Sequence, residues 1–458
     1  MTLSRAIVRT WMAAAARVVP VEVMASARLH MLDAVGVGLA ASALDQGAAY
    51  RNLASGNNGA ITVLTGARVS NAAEAALING GLIHSLEYDD THTASIVHGS
   101  SVLAPAALAV AEGTGRTLDA ALRAYLLGYE TLIRIGLAAP GAFQSRGFQI
   151  TPVGGTLVSA LVAADLMNAS EDERVHAMGI ALSQASGVFE FLTNGSTVKS
   201  LHPGWAAHAG IYAAKLAKAG LTGPETALEG TRGLFASFSG DTSAAARLSD
   251  LMADFGQRWH TQDVAFKFLP CCHYLHPFVE AAGQLADRGV RAVDIETLTL
   301  RIASGAAGIV CEPWDIKLAP ADGHAARWSL PIVVAARLVE GRVDHDTFRR
   351  PAGSGVRALA VKCRWQPLEP NRFPEAFEAE IVATLVDGRE VSSRIGDVYG
   401  NASRPPQQSD VIEKFRANAR LCLPTAAIAT LEQMFLEAGR PLKAFSQAVA
   451  QSRKGSSS

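Results

Sequence analysis

The chain is 458 residues long, carries 41 Lys+Arg against 42 Asp+Glu, and is 49% hydrophobic but only 18% charged. That balance excludes the basic excess of a nucleic-acid binder and the polybasic tract of a membrane-surface protein, and so apolar a chain is not disordered as a general state. The length calls for about two domains, with much surface buried in cores or in an oligomer interface.

No run approaches the roughly 18 to 20 apolar residues needed to cross a bilayer. The most apolar runs, 32–44 and 330–339, are interrupted by Gly, Ser or Arg and read as buried helices. The N-terminus is acid-poor and holds Arg5, Arg9 and Arg17, as transit peptides do, but an amphipathic helix ended by Pro20 accounts for it. Five cysteines (Cys271, Cys272, Cys311, Cys363 and Cys422) are too few for a disulfide framework. A reducing, cytoplasmic location is therefore expected.

Residues 1–262 are rich in Ala and Leu at helical spacing, with small residues on the apolar faces of 101–112, 156–167 and 205–219. Such faces let helices approach closely, so this half is expected to be all-α. From 263 to 398 the texture changes. Stretches 295–303, 356–365 and 377–385 alternate apolar and polar residues, and the last runs through Asp387-Gly388 into 390–395, a hairpin signal. With helical segments at 276–286 and 330–338 between them, this part reads as a smaller α+β domain. Residues 399–448 return to helical spacing and are expected to pack back on the first domain, and 449–458 are expected to be a flexible tail.

Four stretches carry chemistry. Residues 84–101 pack His84, Glu87, Asp89, Asp90, His92 and His98 between two apolar helices. Ionisable groups so placed are costly unless paired or used, although Asp89 or Asp90 could simply cap a helix. In the second, Lys199 and His202 precede a helix opening and could cradle an anion, or be a solvated lysine and a structural histidine. The third, 266–276, places Lys267 between Phe266 and Phe268, where a desolvated lysine can hold a carboxylate or merely pack its stem. Its Cys271, Cys272, His273 and His276 suggest zinc, but the C-x2-C spacing is absent, so no metal is expected. The fourth, 146–156, runs from Arg146 through Gly-rich sequence into a helix without the phosphate-loop pattern.

In chain order these stretches resemble the MmgE/PrpD family, from Asp33-Ala-Val-Gly to Lys414-Phe415. The family pattern H-A-L-D-[FY]-D-D-T-H, followed by H-P-[SG], is matched by His84, Tyr88, Asp89, Asp90, Thr91, His92 and His98, with Glu87 for its first Asp and Gly99 for its Pro. K-x-L-H-P-G becomes Lys199, Leu201, His202, Pro203 and Gly204, and K-x-x-P-[CS]-C becomes Lys267, Pro270, Cys271 and Cys272. The pattern G-[WF]-H-x-[TS], whose His is thought to act in catalysis, becomes Gly147, Phe148, Gln149, Ile150 and Thr151. Glutamine can hydrogen-bond a substrate oxygen but cannot shuttle a proton near pH 7.

The resemblance implies a mainly α protein: a large all-α helical domain built from both chain ends and a smaller α+β lid domain, with the active site in the cleft between them. It also implies a homodimer and no metal or organic cofactor. The family's activities include 2-methylcitrate dehydration, cis-aconitate decarboxylation and iminodisuccinate epimerisation. A hydro-lyase acting on a small citrate-like polycarboxylate is therefore expected, with that small molecule as partner and no nucleic acid or membrane. The expected catalytic residues are Glu87, Asp90, His98, Lys199 and Lys267, and the expected substrate-binding residues are Thr91, Gln149, His202, Cys272 and Arg146. An epimerase, a decarboxylase and an inactive polycarboxylate-binding homologue stand as alternatives.

Overall fold

The structure is a computed structural model that describes residues 1–193 and 196–452. Helix accounts for 58% of it and strand for 9%, so the protein is mainly α. The chain folds into two compact units, one of Met1–Phe266 with the segment from Gln407 onward, the other Lys267–Pro406. The first unit thus uses both chain ends. Of the expected tail, 453–458 lie outside the described residues, while 449–452 close the helix Lys443–Val449 with a turn.

In the first unit the helices Ala72–His84, Gly99–Thr114, Ile150–Leu166 and Leu201–Lys218 pack closely on one another. Two helix starts of this unit are written into the sequence. Asn71 accepts from the Glu74 amide, and Ser170 forms a capping box with Glu173 at the start of Glu171–Leu182. Glycine sets the closest crossing. A Cβ on Gly204 would lie 2.2 Å from the Leu77 carbonyl oxygen, and one on Gly80 would lie 2.7 Å from the Gly204 Cα. The two backbones touch there, which brings the end of Ala72–His84 beside the start of Leu201–Lys218. One departure from the all-α expectation is a two-stranded antiparallel ribbon, Ile61–Thr62 with Arg68–Val69.

The helix Val21–Ala43 is long and apolar enough to cross a membrane by length and composition, which the sequence reading missed. Within the fold it is a core helix, with 78% of its most apolar window buried and with Arg28, His30 and Asp33 all engaged by neighbours. The C-terminal helix Gln408–Ala419 packs along it.

The second unit is built on a four-stranded mixed sheet in the order Cys363–Pro367, Ile295–Ile302, Ala379–Leu385, Glu390–Ile395. The first pair is parallel and the others antiparallel. The Asp387-Gly388 turn forms the expected hairpin, with Gly388 at φ +84°. Helices His276–Asp287 and Leu330–Glu340 pack together, the former against the last two strands. The alternation expected to make 356–365 a strand belongs instead to the helix Ser354–Ala360 followed by the strand from Cys363. Val356, Leu359 and Ala360 are its buried residues, a helical spacing that a period of two imitates over so short a run.

Candidate active site

Most of the expected site residues in the first unit converge where Ala72–His84 ends, Gly99–Thr114 begins and Leu201–Lys218 begins. Between the first two runs the acidic loop, whose residues are buried except for Thr93, Ala94, Ile96 and His98. His84 Nδ1 lies 2.8 Å from Asp89 Oδ2, and the same oxygen is 3.9 Å from His98 Nδ1. The rings of His84 and His98 are 5.1 Å apart. His98 Nδ1 is 3.0 Å from both the Asp90 carbonyl oxygen and Thr91 Oγ1. A carbonyl can only accept, so Nδ1 carries the proton, and Nε2 is the atom with an in-plane lone pair. The His98 backbone amide donates to Thr151 Oγ1 at 3.0 Å, which ties the end of the loop to the helix Ile150–Leu166.

Lys199 Nζ donates to both oxygens of Glu87 at 2.6 Å. Glu87 stands at φ +53°, in the left-handed region that a non-glycine residue occupies only when its surroundings hold it there. The side chains of Lys199 and His98 are each 12% exposed, against 5% or less for Glu87, His84 and Asp89. Those two are therefore the groups of this cluster best placed to meet a ligand.

The structure redistributes some expected roles. The Asp90 carboxylate does not face His98. It accepts from the Ser100 hydroxyl and amide and lies 2.9 Å from His30 Nδ1, while Ser100 also meets the Tyr125 hydroxyl at 2.6 Å. Asp89 is the carboxylate that faces the two histidines. Arg146 is exposed, with its side chain against Gly240. Lys267 and Cys272 belong to the second unit, where both are buried and the Cys272 amide donates to the Arg327 carbonyl at 2.9 Å.

Gln149 meets its neighbour through its amide oxygen, 2.7 Å from His202 Nδ1. The amide oxygen accepts, so His202 Nδ1 carries the proton. Burial, and then the charges of His84 and Lys199, lower the His202 pKa to about 4. It is a neutral imidazole at physiological pH. Burial, with His260, likewise lowers His92 to about 3.

These depressed values set a pH dependence. Between about pH 6.5 and 4 the unfolded chain binds protons that buried His92 and His202 refuse, so stability falls as pH falls through that window. Asp33, raised to about 6 by burial, works in the opposite sense, but over a smaller shift than either histidine. The thermal midpoint is expected to drop on acidification from pH 7 to 4. A midpoint that held or rose would contradict the neutral imidazoles.

Among the described residues, His92, His260 and Asp263 have ligand atoms within 4.8 Å of one another, close enough for a metal. Burial, and then the guanidinium groups of Arg134 and Arg258, lower the His260 pKa to about 4, and those two charges oppose a cation there.

Gly99 departs from the family's proline for a visible reason. Its amide donates to the Tyr129 hydroxyl at 3.2 Å, and a Cβ on it would lie 2.1 Å from the Tyr129 ring. Gly99→Ala is expected to destabilise the protein by about 1–3 kcal/mol through overpacking, measured by urea unfolding. An unchanged midpoint would show that Tyr129 yields freely.

Sequence reasoning missed His30, and it placed Asp33 and Lys414 in matching family stretches without giving either a role or a partner. Lys414 had a signal: it sits in the series Val411, Lys414, Phe415, Asn418, the buried face of Gln408–Ala419. A lysine on that face needs a partner, and Asp33 is it.

Comparison with known proteins agrees with the resemblance. Residues 6–246 match the MmgE/PrpD N-terminal domain and residues 269–437 the MmgE/PrpD C-terminal domain. Human cis-aconitate decarboxylase is 32% identical over 378 residues, 78% of this chain and 74% of that protein. The mouse enzyme of the same name is 32% identical over 77% of this chain and 73% of its own. The cis-aconitate decarboxylase-like protein oryM of Aspergillus oryzae is 27% identical over 91% of this chain and 90% of its own. With both domains matched in order and lyases among its relatives, this chain belongs to the MmgE/PrpD family of enzymes and, at the level of reaction class, to the lyases.

Proposed function

We propose that the enzyme removes a carboxyl group as CO2 from a small unsaturated tricarboxylate of the cis-aconitate kind. The observation that carries this is the buried pair of Lys199 with Glu87, the latter on the loop that also bears His98, in a chain whose relatives are named as decarboxylases. In the reaction, the C–C bond to the departing carboxylate breaks and its electron pair moves toward the remaining carboxylates. One proton is then taken up at carbon. Lys199 stabilises the charge that builds on the carboxylate oxygens, inside a cluster from which water is largely excluded. His98, with Nδ1 fixed by Thr91 and the Asp90 carbonyl, presents Nε2 for the proton, and Asp89 stabilises its cationic form. His202, fixed by Gln149, is a neutral hydrogen-bonding group for substrate. Thr91 is a further binding group on the acidic loop, and Lys267 and Cys272 are proposed to take part on the motif K-x-x-P-[CS]-C alone.

The relatives move the first reading from loss of water, expected from the sequence, to loss of CO2. One experiment separates the readings. The purified protein is incubated with cis-aconitate, citrate and 2-methylcitrate in D2O and followed by NMR with CO2 detection. CO2 with an unsaturated dicarboxylate is the expected result. An alkene formed without CO2 would make it a dehydratase, and deuterium exchange with neither would make it an epimerase. Tight binding without turnover would make it an inactive homologue.

A further inference from the structure

Behind the acidic loop lies a second charged pair that the chemistry above does not use. Lys414 Nζ is 2.8 and 2.9 Å from the two oxygens of Asp33 and 3.0 Å from the Tyr88 carbonyl oxygen, and it sits 4.0 Å over the Tyr88 ring. Two of its N–H groups are used in hydrogen bonds, one to Asp33 Oδ2 and one to the Tyr88 carbonyl, while Asp33 Oδ1 adds only charge. Both side chains are at most 2% exposed. Burial lowers the Lys414 pKa, and Asp33, Asp90 and Asp89 oppose that shift.

Two buried charges are a poor way to join two helices, because apolar residues of similar volume often hold such a junction as well or better. What apolar residues cannot do is donate to a carbonyl. The carbonyl in question is on Tyr88, one residue beyond Glu87 in its left-handed conformation. His30, one turn before Asp33 on Val21–Ala43, reaches Asp90 at 2.9 Å and stacks on Phe266 at 3.9 Å. The same helix therefore grips the loop at two points, through His30 to Asp90 and through Asp33 and Lys414 to Tyr88.

We propose that Lys414, oriented by Asp33, is a positioning residue that holds the Tyr88 peptide so that Glu87 keeps the conformation delivering its carboxylate to Lys199. The idea rests on the reading of the Glu87–Lys199 pair as part of the active site, but its first test needs no substrate.

The experiment compares wild type, Lys414→Arg and the double variant Asp33→Leu/Lys414→Met by thermal unfolding and by amide hydrogen exchange over residues 86–91. Turnover of cis-aconitate, or of whichever acid the NMR assay shows to react, is measured alongside. The double variant removes both charges together, so its thermal midpoint should stay near that of wild type. Its amides at 87–91 should exchange at least tenfold faster, and kcat should fall at least tenfold with little change in KM. Lys414→Arg keeps the pair with Asp33, but its planar fork is spent on the carboxylate. It should stay folded and show the same two defects, which keeps the test decisive if the double variant does not fold. Wild-type exchange and wild-type kcat in the folded variants would reduce the pair to a structural strut and overturn the proposal. If wild type turns over none of the acids, the proposed reaction fails, while the exchange data still decide the role of Lys414.

Discussion

Lys199→Met is expected to lower kcat/KM for a tricarboxylate substrate by about 10²–10³-fold, the usual scale for deleting one preorganised electrostatic group in a closed site. The loss should lie mostly in kcat if the ammonium acts on developing charge, and mostly in KM if it only binds. The variant carries a second consequence. Glu87 is 5% exposed and gives both oxygens to Lys199, so removing the lysine strands a buried carboxylate and should also lower the thermal midpoint. Glu87→Gln/Lys199→Met separates the two effects, because it should recover stability but not activity. Recovery of both would show that the lysine serves the fold alone. Lys267→Met is expected to impair turnover comparably, and near wild-type activity in both single variants would sink the proposed chemistry.

Gly204→Val should have the largest effect on the fold. Its Cβ would lie 2.2 Å from the Leu77 carbonyl oxygen and 2.9 Å from the Gly81 amide, both backbone atoms that cannot rotate aside. The helices Ala72–His84 and Leu201–Lys218 would have to separate, opening the core between them. A cost above about 4 kcal/mol is expected, a large share of the roughly 5–15 kcal/mol that holds a typical domain together. Soluble yield and thermal midpoint measure it. A soluble variant of normal midpoint would mean that the crossing relaxes more easily than its backbone contacts suggest.

The parts of the molecule legible in the sequence share a physical character. Helices such as Ile150–Leu166 and the hairpin at Asp387-Gly388 follow from local spacing and turn chemistry. The cluster at 84–98 and the Lys199 stretch were visible because charge in apolar surroundings is conspicuous wherever it occurs. Which carboxylate faces which imidazole was not visible. Asp89 and Asp90 are adjacent, and only the loop conformation turns one toward His84 and His98 and the other toward Ser100 and His30. The stretch 356–365 misled because seven residues of helix with a few buried positions resemble a short alternating strand. The pairing of Asp33 with Lys414 escaped for a simpler reason: nothing local marks two residues so far apart in the chain as partners.

That separation bears on how the enzyme comes into being. Asp33 and Lys414 are 381 positions apart, and all of Lys267–Pro406 is made between them. At a synthesis rate of roughly 5–20 residues per second, the first half of the pair waits on the order of 20–80 s for the second. Until then the nascent helix Val21–Ala43 carries a carboxylate with no counter-ion, and the loop it will later secure has one grip instead of two. The stretch that carries Lys414 follows the whole of the second unit in the chain, so a chain cut short before Lys414 should emerge with most of its core built and its acidic loop unfixed.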